Sequence, residues 1–283
     1  MEVQPNRARQ LDFRADEKRW SMKKPIVISV INQKGGVGKT TTTVNLGAGL
    51  AIKGKKVLVI DMDIQANLTH SLIGDIPEHA DSVCEVLLSE SPFDDIIKET
   101  TTKNLFIAPA GESLIELDIN LANKMGREHI LEQCLKATKC IKSFDIILID
   151  NPPYVSLSTV NSLVASDFYI VPLSCEYLPM LGLKWLNKTV EKVLKLNPKL
   201  KSLGVALTMY DKREGITTSV EELVREELED LVFKTKIRIN TKHKSAPTSK
   251  QTIFQYEASK EGKGTIDYMG LTEEVLGRLG YTK

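Results

Sequence analysis

The stretch Val30-Ile31-Asn32-Gln33-Lys34-Gly35-Gly36-Val37-Gly38-Lys39-Thr40-Thr41 decides how the chain is read. It ends a short β-branched run, Ile26–Ile31, and opens Thr41–Lys53, whose apolar residues recur at helical spacing. A glycine-rich segment between a strand and a helix is the setting in which backbone can cradle phosphate. Gly35, Gly36 and Gly38 let successive N–H groups turn toward one anion, and the helix N-terminus adds a favourable dipole. Lys39 can then reach the β- and γ-phosphates and Thr40 can place a hydroxyl on Mg2+, so Lys34 to Thr41, including Val37 and Thr41, is the candidate nucleotide site. The common G-x-x-x-x-G-K-[ST] pattern has its first glycine where this chain has Gln33.

Beyond this loop, Val57–Ile60, Leu105–Ala108, Ile146–Ile149, Phe168–Val171 and Leu203–Leu207 are short, continuous apolar runs of the kind buried on both faces of a parallel sheet. Between them Leu114–Ile141, Leu181–Leu196 and Thr218–Leu231 carry helix-period spacing. The order βαβα predicts an α/β class, a single P-loop domain with a mostly parallel, doubly wound sheet flanked by helices. Residues 1–24 form a polar arm, seven basic residues against four acidic ones, ahead of a catalytic domain over 25–283. Leu11, Phe13, Trp20 and Met22 are large apolar residues within the arm.

Composition narrows the partners. With 38 Lys+Arg against 37 Asp+Glu, no global field steers the chain to a polyanion, so any such site must be a local patch. The four cysteines, Cys84, Cys134, Cys140 and Cys175, show neither a C-x-x-C pair nor a disulfide framework and read as buried thiols. No apolar run is long enough to span a bilayer and the N-terminus lacks the apolar region of a signal peptide, which leads to the expectation of a cytoplasmic protein.

Phosphoryl transfer needs hard oxygen ligands for Mg2+ and a group to position water, at the C-terminal ends of strands beside the phosphate loop. Val57–Ile60 runs into Asp61-Met62-Asp63, and Ile146–Ile149 ends in Asp150, which would hold Mg2+ through water. Asn151-Pro152-Pro153 follows as a stiff loop able to register a γ-phosphate.

Lys34-Gly-Gly-Val-Gly-Lys-Thr resembles the deviant Walker A motif of the ParA/MinD family, and the chain from Ile26 to Leu279 is similar to the ParA/Soj branch. The resemblance implies that Lys34 crosses the interface of an ATP-sandwich homodimer to touch the partner's phosphates. Asp61-Met62-Asp63-Ile64-Gln65-Ala66-Asn67 resembles the family's D-x-D-P-Q-G-N segment, which implies that Asp63 positions or activates water. Ile64 and Ala66 depart from the usual Pro and Gly, Asn151 from the commoner Cys or Thr, and Ser174 from a frequent Gln. By the same likeness Lys34, Lys39 and Asp63 are the catalytic set, Thr40 and Asp150 serve the metal, and Met209 and Asp211 contact adenine. Arg213, Lys242, Lys244 and Lys250 are the candidate contacts to DNA phosphates, independent of sequence and salt-sensitive. ATP, Mg2+, nonspecific DNA and a ParB-type activator are the implied cofactors and partners.

A MinD-like membrane-positioning ATPase would share every nucleotide motif but should end in an amphipathic helix with basic and bulky apolar faces. Leu271–Lys283 carries Glu273 and Glu274, with Leu276 and Leu279 at helical spacing, and reads as a final helix packed on the core. A ParA-like positioner of protein cargo stays open alongside the DNA reading.

Overall fold

The computed structural model describes residues 24–281 apart from 78–79, 112–113, 115–116 and 176–178, and leaves the side chains of 179–185 aside. The arm, except Lys24, and the Glu176-Tyr177 pair thus lie outside the described residues.

Eight strands form one sheet: β1 Ile26–Val30, β2 Val57–Asp61, β3 Lys98–Glu99, β4 Leu105–Ala108, β5 Ile146–Asp150, β6 Phe168–Ser174, β7 Lys201–Tyr210 and β8 Val232–Arg238. Their order is β3-β4-β2-β5-β1-β6-β7-β8, parallel throughout except for β3 against β4. The helices are α1 Lys39–Ile52, α2 Asn67–Leu72, α3 Val83–Ser89, α4 Leu117–Asn120, α5 Ile130–Ala137, α6 Leu157–Ala165, α7 Pro179–Val193, α8 Gly215–Leu228, α9 Lys242–Ser245, α10 Ile253–Glu257 and α11 Lys263–Arg278.

Burial on both faces explains the continuous apolar runs. In β2, Val57 and Val59 join the cluster with Leu46 and Leu50 of α1 and Leu271 and Val275 of α11. The alternate residues Leu58 and Ile60 join the opposite cluster with Val86, Leu131 and Leu135 of α3 and α5. β5 divides the same way, Ile146 and Leu148 against Ile147 and Ile149, because successive side chains leave opposite faces of a strand. Each such side chain contributes about 1.5–3 kcal/mol when fully buried. Helices α1 and α11 meet at Gly49, where a Cβ would lie 2.2 Å from Thr272 Oγ1, so only glycine permits this approach. The four cysteines are free and buried.

The sheet differs from expectation where the sequence signal is weakest. β8 interleaves Lys234, Lys236 and Arg238 with apolar residues because it is an edge strand, where charges discourage pairing with another chain. The helical spacing over Leu114–Ile141 spans α4, a turn of 3-10 helix, α5 and a second 3-10 segment. Gly126 sits at φ 71°, and Thr138 turns extended while its hydroxyl bonds Cys134 O and receives Phe93 N–H. The apolar period therefore crosses real breaks. The final helix starts at Lys263, eight residues before its apolar stripe becomes legible, since Glu257 caps that end.

Candidate nucleotide-binding site

The loop between β1 and α1 turns on Gly36 (φ 75°) and Gly38 (φ 84°), left-handed conformations natural to glycine. Neighbouring strands hold it in place. Lys34 N–H donates to Asn32 Oδ1 at 3.0 Å, and Asn32 Nδ2 donates to Pro172 O of β6 at 2.8 Å. Thr208 of β7 donates to Val37 O at 2.9 Å. Gln33, at the departure from the common pattern, reaches Thr189 of α7 at 2.8 Å. The loop is thus tied to α7 by the residue that replaces glycine.

Lys39 is buried, and its ammonium donates to Lys34 O at 3.1 Å. Burial lowers its pKa, opposed by the charges of Asp150 and Asp63. Lys34 is exposed on the loop. Thr40 donates to Asp150 Oδ2 at 2.7 Å, and Thr43 to Asp150 Oδ1 at 3.1 Å. Parallel register sets Asp61 beside Asp150. Both are fully buried: burial, then the neighbouring Asp61 charge, pushes Asp150 up to about 8, and burial pushes Asp61 up to about 6. A cation at this strand end would offset that cost. The donor set of one hydroxyl and one carboxylate fits Mg2+, which takes few protein oxygens and completes its shell with water and phosphate. Among the described residues no group of three or more His, Cys, Asp or Glu is placed to hold a metal ion.

Asp63 lies just beyond β2, nearly buried, with its backbone and one carboxylate oxygen fixed by the loop: Oδ1 accepts Gln65 N–H at 3.1 Å, and Ala66 N–H reaches Asp63 O. Its charge raises the pKa of Lys39 against the effect of burial and adds to the upward shift of Tyr154 in the loop after β5. Ala66 takes φ 49°, a left-handed conformation costing an alanine about 1 kcal/mol, where the motif ordinarily places glycine.

Met209 and Asp211 fall at the end of β7, on the same sheet edge as the phosphate loop. Met209 has φ 50°. Arg213 grips Asp211 through Nε at 2.9 Å and a terminal nitrogen at 2.5 Å, and this hydrogen-bonded pairing holds the Asp211 carboxyl down to about 2. A candidate adenine contact and a candidate DNA contact therefore hold one another.

Ile239 N–H donates to Tyr210 O, so the segment after β8 begins beside the one after β7. Lys242 and Lys244 are exposed on α9. Lys242 Nζ stands 3.8 Å from Glu257, a carboxylate with a side chain 1% exposed that also accepts Asn240 Nδ2, Gly264 N–H and Thr265 N–H. Lys250 ends the 3-10 turn that follows α9 and packs against Gly74 beyond α2. Two contributors escaped the sequence reading: Asp61, visible as the first acid of its pair, and Glu257, for which spacing gave no signal.

His243, between the two exposed lysines, packs edge-on against Tyr268. Burial lowers its pKa, with Asp267 of α11 and Glu257 of α10 opposing. A histidine whose folded pKa is depressed leaves the unfolded state binding more protons, so stability is lost as pH falls through the unfolded value of about 6.5. The thermal midpoint of wild type should thus fall more between pH 7.5 and 5.5, on the order of a few degrees, than that of His243→Phe. Parallel loss in both proteins would refute a buried neutral imidazole.

A strand, a phosphate-cradling loop and a helix, flanked by strand-end carboxylates in a parallel sheet, define a P-loop nucleotide-binding protein. A family model described as an AAA domain matches residues 25–202. The sporulation initiation inhibitor protein Soj of Bacillus subtilis (strain 168) is 41% identical over 250 residues, 88% of this chain and 97% of Soj. The chromosome partitioning protein ParA of Caulobacter vibrioides (strain NA1000 / CB15N) is 36% identical over 253 residues, 89% of this chain and 94% of ParA. Among solved structures, cobyrinic acid a,c-diamide synthase from Mycobacterium smegmatis with bound ATP analog and magnesium superposes with a TM-score of 0.78 at 32% identity, over 90% of this chain and 96% of that one. The chain belongs to the Soj/ParA family of P-loop ATPases.

Proposed function

We propose that this ATPase is a DNA-partitioning protein whose hold on DNA is gated by ATP. ATP with Mg2+ joins two copies face to face, each Lys34 reaching the partner's phosphates. The closed homodimer presents Arg213, Lys242, Lys244 and Lys250 as a composite surface for nonspecific duplex DNA, and hydrolysis releases it under a ParB-type activator. The observation that carries this reading is topological. The phosphate loop, bonded to Thr208 of β7, and the segments carrying Arg213 and Lys242 all leave the same end of one sheet. A change at the nucleotide thus has a short path to the basic surface.

Within the site, Thr40 and Asp150 would hold the metal, which would supply positive charge to the phosphates. Lys39 and the loop N–H groups bind the phosphates, and Asp63 orients the attacking water. Residues 1–24 make an accessory arm to a catalytic domain over 25–283, and the protein works in the cytoplasm on the nucleoid. Among the described residues no helix is long and apolar enough to cross a membrane. A membrane-positioning role finds little support in α11, which buries Leu271 and Val275 and uses Glu274 to accept Lys234 and Thr235 N–H.

The test is equilibrium binding to nonspecific duplex DNA with ATP, ADP or no nucleotide, at low and moderate salt. ATP-dependent binding that is salt-sensitive and falls about tenfold or more in Lys34→Ala is the expected result. ATP-driven dimerisation without DNA binding would overturn it and turn the search to protein cargo.

A further inference from the structure

The loop that carries Asp63 is closed at both ends on one buried carboxylate. Asp61 Oδ1 accepts Asp63 N–H at 3.2 Å, and Asp61 Oδ2 accepts both the N–H and the hydroxyl of Thr69, at 2.9 and 2.7 Å. The Thr69 hydroxyl oxygen in turn accepts Ala110 N–H, just past β4, at 3.0 Å. Asp61, Thr69 and Ala110 are all buried, at 0%, 1% and 1% exposure, so water cannot replace these bonds. The chain Ala110 to Thr69 to Asp61 to Asp63 therefore ties three segments together: the end of β4, the first turn of α2, and the loop between β2 and α2.

We propose that Thr69 is a positioning residue for ATP hydrolysis, acting through Asp61 to fix where Asp63 stands. The inference rests on the reading of Asp63 as the water-orienting carboxylate. The Thr69 hydroxyl is hydrogen-bonded to Asp61 and Ala110 and not, among the described residues, to the loop after β5 or the phosphate loop. Its hydroxyl serves two masters, donating to Asp61 and accepting from Ala110, and a charge-assisted hydrogen bond of this kind is directional as well as strong. Valine at this position keeps the shape and the backbone N–H to Asp61, but takes away both hydroxyl bonds. Asp61 would then hold one end of the loop by its N–H bonds alone, and Ala110 N–H would lose its acceptor. Small displacements of a water-orienting group are costly because rate falls steeply as reacting atoms leave their near-attack geometry.

The experiment is steady-state phosphate release by full-length wild type, Thr69→Val and Thr69→Ser, with Asp63→Ala as reference. Expected for Thr69→Val is a kcat lower by about tenfold or more with the KM for ATP within roughly twofold, and recovery in Thr69→Ser to within about threefold of wild type. Amide hydrogen exchange at Asp63 and Gln65 should quicken in Thr69→Val and return toward wild type in Thr69→Ser. Unchanged kcat and unchanged exchange in Thr69→Val overturn the proposal, as does a loss that serine fails to restore, which marks simple packing damage. If Asp63→Ala itself turns over normally, the water-orienting reading fails. The exchange measurement then decides the clamp on its own.

Discussion

Asp63→Ala should lower kcat for ATP hydrolysis by about 10²-fold or more while ATP affinity stays within a few-fold of wild type. Asp63 is buried just after β2, held by its N–H to Asp61 and by Gln65 N–H on its carboxylate. On the proposed reading the glycine loop binds phosphate without it, and Asp150, hydrogen-bonded to Thr40 and Thr43, is left intact by the substitution. An interaction made chiefly in the transition state lowers kcat when removed and leaves binding nearly unchanged. Lys39→Ala gives the contrast, because on the proposed reading it removes a cation that contacts phosphate in ground and transition states alike, and nucleotide affinity should fall with turnover. Single-turnover phosphate release together with titration of a nonhydrolysable ATP analogue separates the two. Undiminished turnover in Asp63→Ala would place water activation elsewhere and remove the basis of its assignment.

The sequence made the nucleotide end of this protein legible for a physical reason. Glycines at positive φ, a lysine inside a helix start and acids closing apolar strands are demanded by local geometry. The same geometry fixes their spacing, so Gly36, Gly38, Lys39 and Asp150 could be read one at a time. β2 and β5 were equally plain, since strands buried on both faces need uninterrupted apolar runs. What stayed hidden depends on distant partners. Asp61 has its role through Thr69 and the Asp63 N–H, which both donate to it, while Ala110 N–H in turn reaches the Thr69 hydroxyl. Glu257 carried no local signature because its partners, Asn240, Gly264 and Thr265, lie on both sides of it in sequence. β8 escaped because an edge strand follows the needs of its solvent face as well as its core. The period over Leu114–Ile141 misled for the opposite reason: a shared buried face persisted through breaks at Gly126 and Thr138.

The other large effect is expected at the basic loop. Lys242→Ala combined with Lys244→Ala should weaken ATP-dependent binding to duplex DNA about tenfold or more at moderate salt, uniformly across sequences, and reduce the slope of log affinity against log salt by about two per protomer. The two lysines are not equivalent. Lys242 lies 3.8 Å from buried Glu257, so part of its field is already answered within the chain, whereas Lys244 has no ion pair among the described residues. The single change at Lys244 should accordingly cost more affinity than the one at Lys242. Glu257→Gln removes the negative charge and keeps one acceptor oxygen, at the cost of one of the hydrogen bonds from Asn240 or the α11 N-terminus, so it should bring the two lysines closer to parity and raise DNA affinity. Arg213 is restrained differently: its guanidinium must leave Asp211, or carry it along, to meet a phosphate. Titrations at several salt concentrations, with ATPase activity as the control for folding, check the ordering. A salt slope untouched by the double substitution would move DNA contact away from α9, and a slope lost with Lys244→Ala alone would make Lys242 chiefly a partner for Glu257.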